Sequence, residues 1–166
     1  MTAALIDSLS QWLGANRCEY FRRLQPGVND ATLDAFEIRF SLRLPLPFRE
    51  LYRWRNGQEP TCNASFQRNR MFYSLDEVAE TKAMLDGMIG FDFEDPRWWR
   101  RAWIPFLANG GGDYLCLDLS AEDGGTPGQL VAFWHDRDTR LVEYASIDEW
   151  LFKLVESMNN GTLKLA

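Results

Sequence analysis

One stretch limits what this chain can fold into more than any other: Trp103-Ile104-Pro105-Phe106-Leu107-Ala108-Asn109-Gly110-Gly111-Gly112-Asp113-Tyr114-Leu115-Cys116-Leu117-Asp118-Leu119. A short apolar run precedes the glycines. After them Tyr114, Cys116 and Asp118 alternate with Leu115, Leu117 and Leu119, the period-2 mark of a half-buried strand. Asn109-Gly110-Gly111-Gly112 can take positive φ at little steric cost, so the chain can reverse there between two paired strands. Gln129-Leu130-Val131-Ala132-Phe133-Trp134 follows a polar connection containing glycine and proline and reads as a further strand. Residues 140–145 read as another, with the last hairpin turn over 136–139. Together they form the centre of an antiparallel sheet.

Helical patterns flank this sheet. Leu5, Leu9, Trp12 and Leu13 predict a first helix over residues 3–16. A connector broken at Pro26-Gly27 follows. Asn29 or Asp30 can cap a helix whose apolar face is Leu33, Phe36 and Phe40. Pro47 suits the first turn of a short helix over 48–54, with Asn56-Gly57 as its stop. Residues 58–70 are polar and patternless, so a loop is expected there, and 71–73 read as a short strand. Ser74-Leu75-Asp76-Glu77 and Ser146-Ile147-Asp148-Glu149 are both capping boxes. The first opens a helix ending near Gly87 or Gly90. The second opens the most periodic helix of the chain, with Ile147, Trp150, Leu151, Leu154, Val155 and Met158 on one face. Residues 91–101 read as a loop or a loose turn of helix, acids first and then basic and aromatic residues. Helices, then strands, then a terminal helix predict an α+β single domain. Its central, mainly antiparallel twisted sheet would carry helices packed on one face. N-terminal helices and a C-terminal amphipathic helix complete it.

At 166 residues the chain is long enough to bury a core without a disulfide or metal staple. Its net charge of −6 is uneven. Residues 1–75 carry ten basic and seven acidic side chains, +3, whereas residues 76–166 carry eight basic and seventeen acidic, −9. An acidic half disfavours nucleic acid and anionic membranes and suits a basic protein partner. Acidic surfaces also serve solubility alone. Cys18, Cys62 and Cys116 are odd in number, widely spaced and without a CxxC. They read as free thiols of a reducing compartment, Cys116 in the core. The first sixteen residues lack a signal peptide's pattern, and no apolar run approaches the length of a membrane span. A cytoplasmic location is expected.

No reaction chemistry is evident. Asn109-Gly110-Gly111-Gly112-Asp113 lacks the following helix and the lysine of a phosphate cradle, so a turn is expected. His135-Asp136 has no nucleophile in a signature context. Asp113, Asp118, Glu122 and Asp123 do not follow the spacing of a calcium loop. No catalytic residue, metal or cofactor is expected. The segment holding Asp92, Glu94, Asp95, Trp98, Trp99, Arg100 and Arg101 is the candidate partner-binding site, because Trp and Arg are enriched at binding hot spots. Burial of at least one of its tryptophans against the sheet is the competing expectation.

Several motifs carry a family resemblance. Leu46-Pro47-Phe48-Arg49-Glu50-Leu51-Tyr52-Arg53-Trp54-Arg55-Asn56-Gly57-Gln58 resembles the "LP…(Y/F)…L…NG" signature of the SMI1/KNR4 family, part of the SUKH superfamily. Residues 103–106, Gly111-Gly112-Asp113 and Leu115-Cys116-Leu117-Asp118 resemble its second signature. Gly128-Gln129-Leu130-Val131 with His135-Asp136, and then Ser146-Ile147-Asp148-Glu149-Trp150-Leu151, resemble its next strand and its terminal helix. The resemblance spans about residues 29–160, leaving an N-terminal helix and connector over 1–28 and a tail over 161–166. It implies a non-enzymatic, protein-binding α+β domain. Bacterial members of the family are for the most part immunity proteins that bind and neutralise a cognate polymorphic or contact-dependent toxin in the producing cell's cytosol. The fungal member that gives the family its name implies the alternative, an intracellular scaffold or regulator linked to cell-wall synthesis and signalling. The longer 58–70 loop and the 91–101 segment depart from the family pattern, and variable loops on a fixed scaffold are where partner specificity is expected.

Overall fold

The computed structural model describes residues 1–166. The elements run α1 (Thr2–Asn16), α2 (Cys18–Arg22), β1 (Leu24–Pro26), α3 (Asp30–Phe40), α4 (Leu46–Trp54), β2 (Arg55–Gln58), β3 (Met71–Phe72), α5 (Leu75–Gly87), β4 (Trp103–Ala108), β5 (Tyr114–Asp118), β6 (Gln129–Phe133), β7 (Val142–Tyr144) and α6 (Ile147–Asn159). This is the α+β arrangement expected. Strands β3 to β7 form one antiparallel sheet in sequence order, and β1 pairs with β2 in a second, two-stranded sheet.

Local chemistry explains most element ends. The Asn29 side chain accepts a hydrogen bond from the Thr32 amide (2.9 Å) and starts α3. Pro47 occupies the first turn of α4. At α5 both halves of the capping box form: Ser74 Oγ accepts from the Glu77 amide (3.2 Å) and Glu77 accepts from the Ser74 amide (3.1 Å). At α6 only one half forms as expected. Ser146 Oγ accepts from the Glu149 amide (3.0 Å), but the Glu149 carboxylate accepts from the amide of Ala145, one residue earlier.

Asn56-Gly57 is not the helix stop expected. The chain leaves α4 straight into extended backbone at Arg55, and both residues lie within β2. Gly57 has φ +67°, and a Cβ there would sit 2.3 Å from backbone atoms of Tyr73 and Ser74. Close approach of two backbones therefore requires the glycine. The connector before residue 29 also holds more order than its sequence suggests, namely α2 and β1.

The β4–β5 hairpin closes through Asn109, whose Oδ1 accepts from the amides of Gly111 (2.8 Å) and Asp113 (3.1 Å). Gly110 (φ +79°) and Gly112 (φ +97°) supply the left-handed backbone that the turn needs. A bulge between Pro105 and Leu107 places two β4 residues against one of β5, so Phe106 and Leu107 both enter the main core.

That core lies between one sheet face and the helices. Ile104, Phe106, Leu115, Leu117 and Leu130 meet Leu9 and Leu13 of α1, Phe48 and Leu51 of α4, and Trp150 and Leu154 of α6. Full burial of each such side chain contributes roughly 1.5–3 kcal/mol. The half-buried strand expected from the alternation is overturned: every residue of β4, β5 and β6 is buried. Trp103, Tyr114, Cys116, Val131 and Phe133 belong to a second cluster with Leu85 of α5 and Trp99, against which Met88, Ile89, Phe93 and Trp98 pack. The segment between α5 and β4 is thus the roof of this second face. Burial raises the Cys116 thiol pKa far above its ordinary range, which suits an inert core residue. All three cysteines are free.

Residues 59–70 are irregular, as expected, yet they are tied inward. Phe66 is fully buried and stacks on Phe72 (5.6 Å) and Tyr20 (6.2 Å). Gln58 Oε1 accepts from Tyr20 Oη (2.7 Å) and the Phe72 amide (3.0 Å), and its Nε2 donates to the carbonyls of Cys62 (2.7 Å) and Ala64 (2.9 Å). No helix is long and apolar enough to cross a membrane.

Candidate functional site

The roof over the second sheet face starts where α5 ends. Lys82, near that end, is 1% exposed. It donates to the carbonyls of Arg101 and Trp103 (3.2 Å for Trp103) and pairs with Asp86 (3.1 Å), so α5 is fastened along the edge of β4 that the short β3 leaves uncovered. Burial lowers the Lys82 pKa, while Asp86 works to raise it. Asp86 also accepts from Trp99 Nε1 (2.8 Å). The Trp99 ring stands edge-on to Trp103 and Phe133, each at 5.4 Å.

Outside this buried layer lies a network of arginines and carboxylates. The Asp95 side chain accepts from the Arg97 amide (2.8 Å) and pairs with the Arg97 guanidinium (3.2 Å). The hydrogen bond from the Arg97 side chain is the main reason the Asp95 pKa is lowered. Arg100 pairs with Asp123 (2.7 Å) and Glu122 (3.1 Å), which joins the roof to the β5–β6 connection. Arg140 donates to the Trp98 carbonyl (2.9 Å) and the Arg137 carbonyl (2.7 Å), and lies over the rings of Phe133 (4.4 Å) and Trp98 (4.9 Å). Burial lowers the Arg140 pKa.

Two open hollows flank Trp98. One, of about 320 Å³, is lined by Asp95, Arg97, Trp98, Asp123, Asp138 and Arg140. The other, of about 340 Å³, is lined by Met88, Asp92, Phe93, Glu94, Asp95, Trp98 and His135. Trp98 and Asp95 form the shared ridge.

The residues predicted for this site therefore divide. Asp92, Glu94 and Arg101 are exposed, and Asp95, Trp98 and Arg100 are half-buried. Trp99 is corrected to a core residue, 1% exposed, because its ring packs against Trp103 and Phe133 in the second cluster. Sequence reasoning missed Phe91, 79% exposed, and the more distant contributors Asp123, Asp138 and Arg140. Phe91 offered one signal, a large apolar residue inside an otherwise polar loop. The others arrive from hairpin connections, and nothing local marks them.

Two further clusters have structural explanations. Asp113 Oδ1 accepts from the His135 amide (2.9 Å) and contacts His135 Nδ1 (2.8 Å), while Oδ2 accepts from Asn109 Nδ2 (2.8 Å). This ties the glycine turn to the end of β6. Asp118 accepts from the amides of Ser120 (3.1 Å) and Ala121 (3.0 Å) and from Gln129 Nε2 (3.0 Å). Glu122 and Asp123 turn toward Arg100 instead, so the four acids weighed for calcium do not converge.

The two hollows are open, share an aromatic ridge and are lined by charges of both signs. A model of the SMI1 / KNR4 family (SUKH-1) matches residues 27–153. The chain belongs to the SMI1/KNR4 family. Among its relatives are KNR4/SMI1 homolog 2 of Debaryomyces hansenii, 33% identical over 70 residues, which cover 42% of this chain and 12% of that protein. F-box protein SKIP16 of Arabidopsis thaliana is 45% identical over 53 residues, 32% of this chain and 12% of that protein. The glucan synthesis regulatory protein of Neurospora crassa is 35% identical over 60 residues, 36% of this chain and 11% of that protein. The aligned part thus spans only 11–12% of these relatives' lengths. In this SMI1/KNR4 domain the β4–β5 hairpin and its glycine turn, the elements of the second signature, serve the core and hold the surface that Trp98 crowns.

Proposed function

We propose that this SMI1/KNR4 domain is a non-enzymatic protein-binding module of the cytosol, and that it is an immunity protein that neutralises a cognate toxin domain by covering its active surface. The reading rests on Trp98, a tryptophan held at the rim of two open hollows by Arg140 and Phe93. A ring already fixed by packing loses little freedom on binding, which favours affinity. Phe91 adds exposed apolar surface on the same segment. Asp92, Glu94 and Asp138 keep their carboxylates outside the ion pairs formed by their neighbours, and would speed encounter with a basic partner such as a nuclease. Co-expression with the toxin encoded beside this gene tests the proposal. Growth rescue and co-purification are expected, and both are expected to fail with Trp98→Ala. If the unaltered protein gives neither, the immunity reading is wrong.

A second reading, an intracellular regulator of cell-wall synthesis, is favoured by the relative named glucan synthesis regulatory protein. It predicts a gene far from any toxin or secretion cluster and pull-downs rich in cell-envelope or signalling proteins.

A further inference from the structure

The two edges of the five-stranded sheet are protected unequally. On one side β3 and α5 cover β4 between them. On the other, β7 pairs only with β6. Free edges are normally blunted by a charge, a proline or a covering segment, because their N–H and C=O groups can pair with another chain. Leu141, just before β7, and Val142, its first residue, are 58% and 44% exposed. Glu143 follows, but its carboxylate is drawn into a bidentate pair with Arg70 (2.9 and 2.8 Å) and does not guard the edge.

A groove of about 480 Å³ runs beside this strand, with residues 141–144 lining it in succession. Arg68, Lys153 and Lys164 also line it, and all three are exposed. Lys153 shares Glu149 (3.0 Å), whereas Arg68 and Lys164 have no carboxylate partner. On a chain of net charge −6 this is a local concentration of positive charge. It begins one residue beyond Arg140, where the Trp98 surface ends.

We propose that this groove binds an extended acidic segment of a partner protein, which adds a strand to β7 and lays its carboxylates against Arg68 and Lys164. Main-chain hydrogen bonds to the free edge would supply affinity, and the cationic wall would select acidic side chains over basic ones. This contact uses other residues and the opposite charge from the toxin-binding reading, and it stands without that reading.

The test uses a fluorescein-labelled peptide of alternating glutamate and valine, about six residues long, the usual length of a strand. Controls are the lysine–valine counterpart and a backbone N-methylated version. Binding is followed by anisotropy at low salt and by amide NMR shifts. The acidic peptide is expected to bind with shifts centred on 141–144, and neither control is expected to bind. Arg68→Glu with Lys164→Glu should weaken binding on the order of tenfold or more. Lys164→Glu alone, at an exposed tail position that no core contact depends on, should give an intermediate loss. No binding, shifts centred elsewhere, or affinity indifferent to charge reversal would each overturn the proposal. So would a concentration-dependent dimer with protected amides at 141–144, which would assign the edge to a second copy of the chain.

Discussion

The two longest irregular segments of this fold, one over 59–70 and one over 88–102, are anchored in different ways. The first joins the main core. Phe66 sits among Tyr20, Phe72 and Trp150, and the amide of Gln58 binds four partners around it. The second roofs a smaller core of its own, with Trp99 inside, Trp98 at the rim and Phe91 outside. A loop tied by buried, fully hydrogen-bonded polar groups is part of the scaffold. A loop that buries one aromatic and shows the next can carry recognition on a rigid support. Family resemblance had marked both as places for specificity, yet only the second presents an aromatic ridge to solvent.

This contrast can be broken by mutation. The largest effect is expected from Phe66→Ala, about 3–5 kcal/mol of lost stability in denaturant unfolding, because a fully buried ring leaves a cavity in the main core. Gln58→Leu should cost about 1–3 kcal/mol by the same measurement, since it strands the Tyr20 hydroxyl and the Phe72 amide. A loss as small as that of a surface change would place 59–70 outside the scaffold. Arg140→Ala should cost about 1 kcal/mol and weaken partner binding further, by freeing the Trp98 carbonyl and ring. Calorimetry read beside co-purification would separate the two effects.

Acid should bear on the glycine turn in a defined direction. Burial works to raise the Asp113 pKa, but hydrogen bonds from the His135 amide, the His135 ring and Asn109 outweigh it, and the pKa is lowered. A carboxylate held low in the folded state stabilises fully above its unfolded pKa, and that stabilisation fades as pH falls through the folded value. The stability gap between the unaltered protein and Asp113→Asn should therefore be widest near neutral pH and close below about pH 4. A gap that persists in acid would show that the carboxylate charge is not what holds the turn. The smallest change in stability is expected from Phe91→Ala, within about 0.5 kcal/mol, because the ring is exposed. Its partner affinity should still fall measurably. An unchanged affinity would move the recognition surface away from the roof.

Wherever a pattern is local, the sequence was readable. The Ser74 capping box, the apolar stripe of α6, the proline entry to α4 and the glycine hairpin are each decided within a few residues of chain. The Gly57 error has the same root. Asn-Gly after a helix reads as a stop, while the contact that requires the glycine comes from Tyr73 and Ser74, far along the chain. The candidate site was half readable for the same reason. Asp95 and Trp98 lie in one conspicuous segment, whereas Asp123, Asp138 and Arg140 reach it from two other connections.

By itself the sequence determined the element order, the α+β class and the strands of the central hairpin, because period, capping and turn chemistry act over short range. Only the tertiary structure decided that the second sheet face is covered, that Trp99 is buried while Trp98 is not, and that β7 keeps an open edge. Those outcomes depend on which distant side chains compete for the same volume and the same hydrogen-bonding groups, and no local pattern encodes that competition.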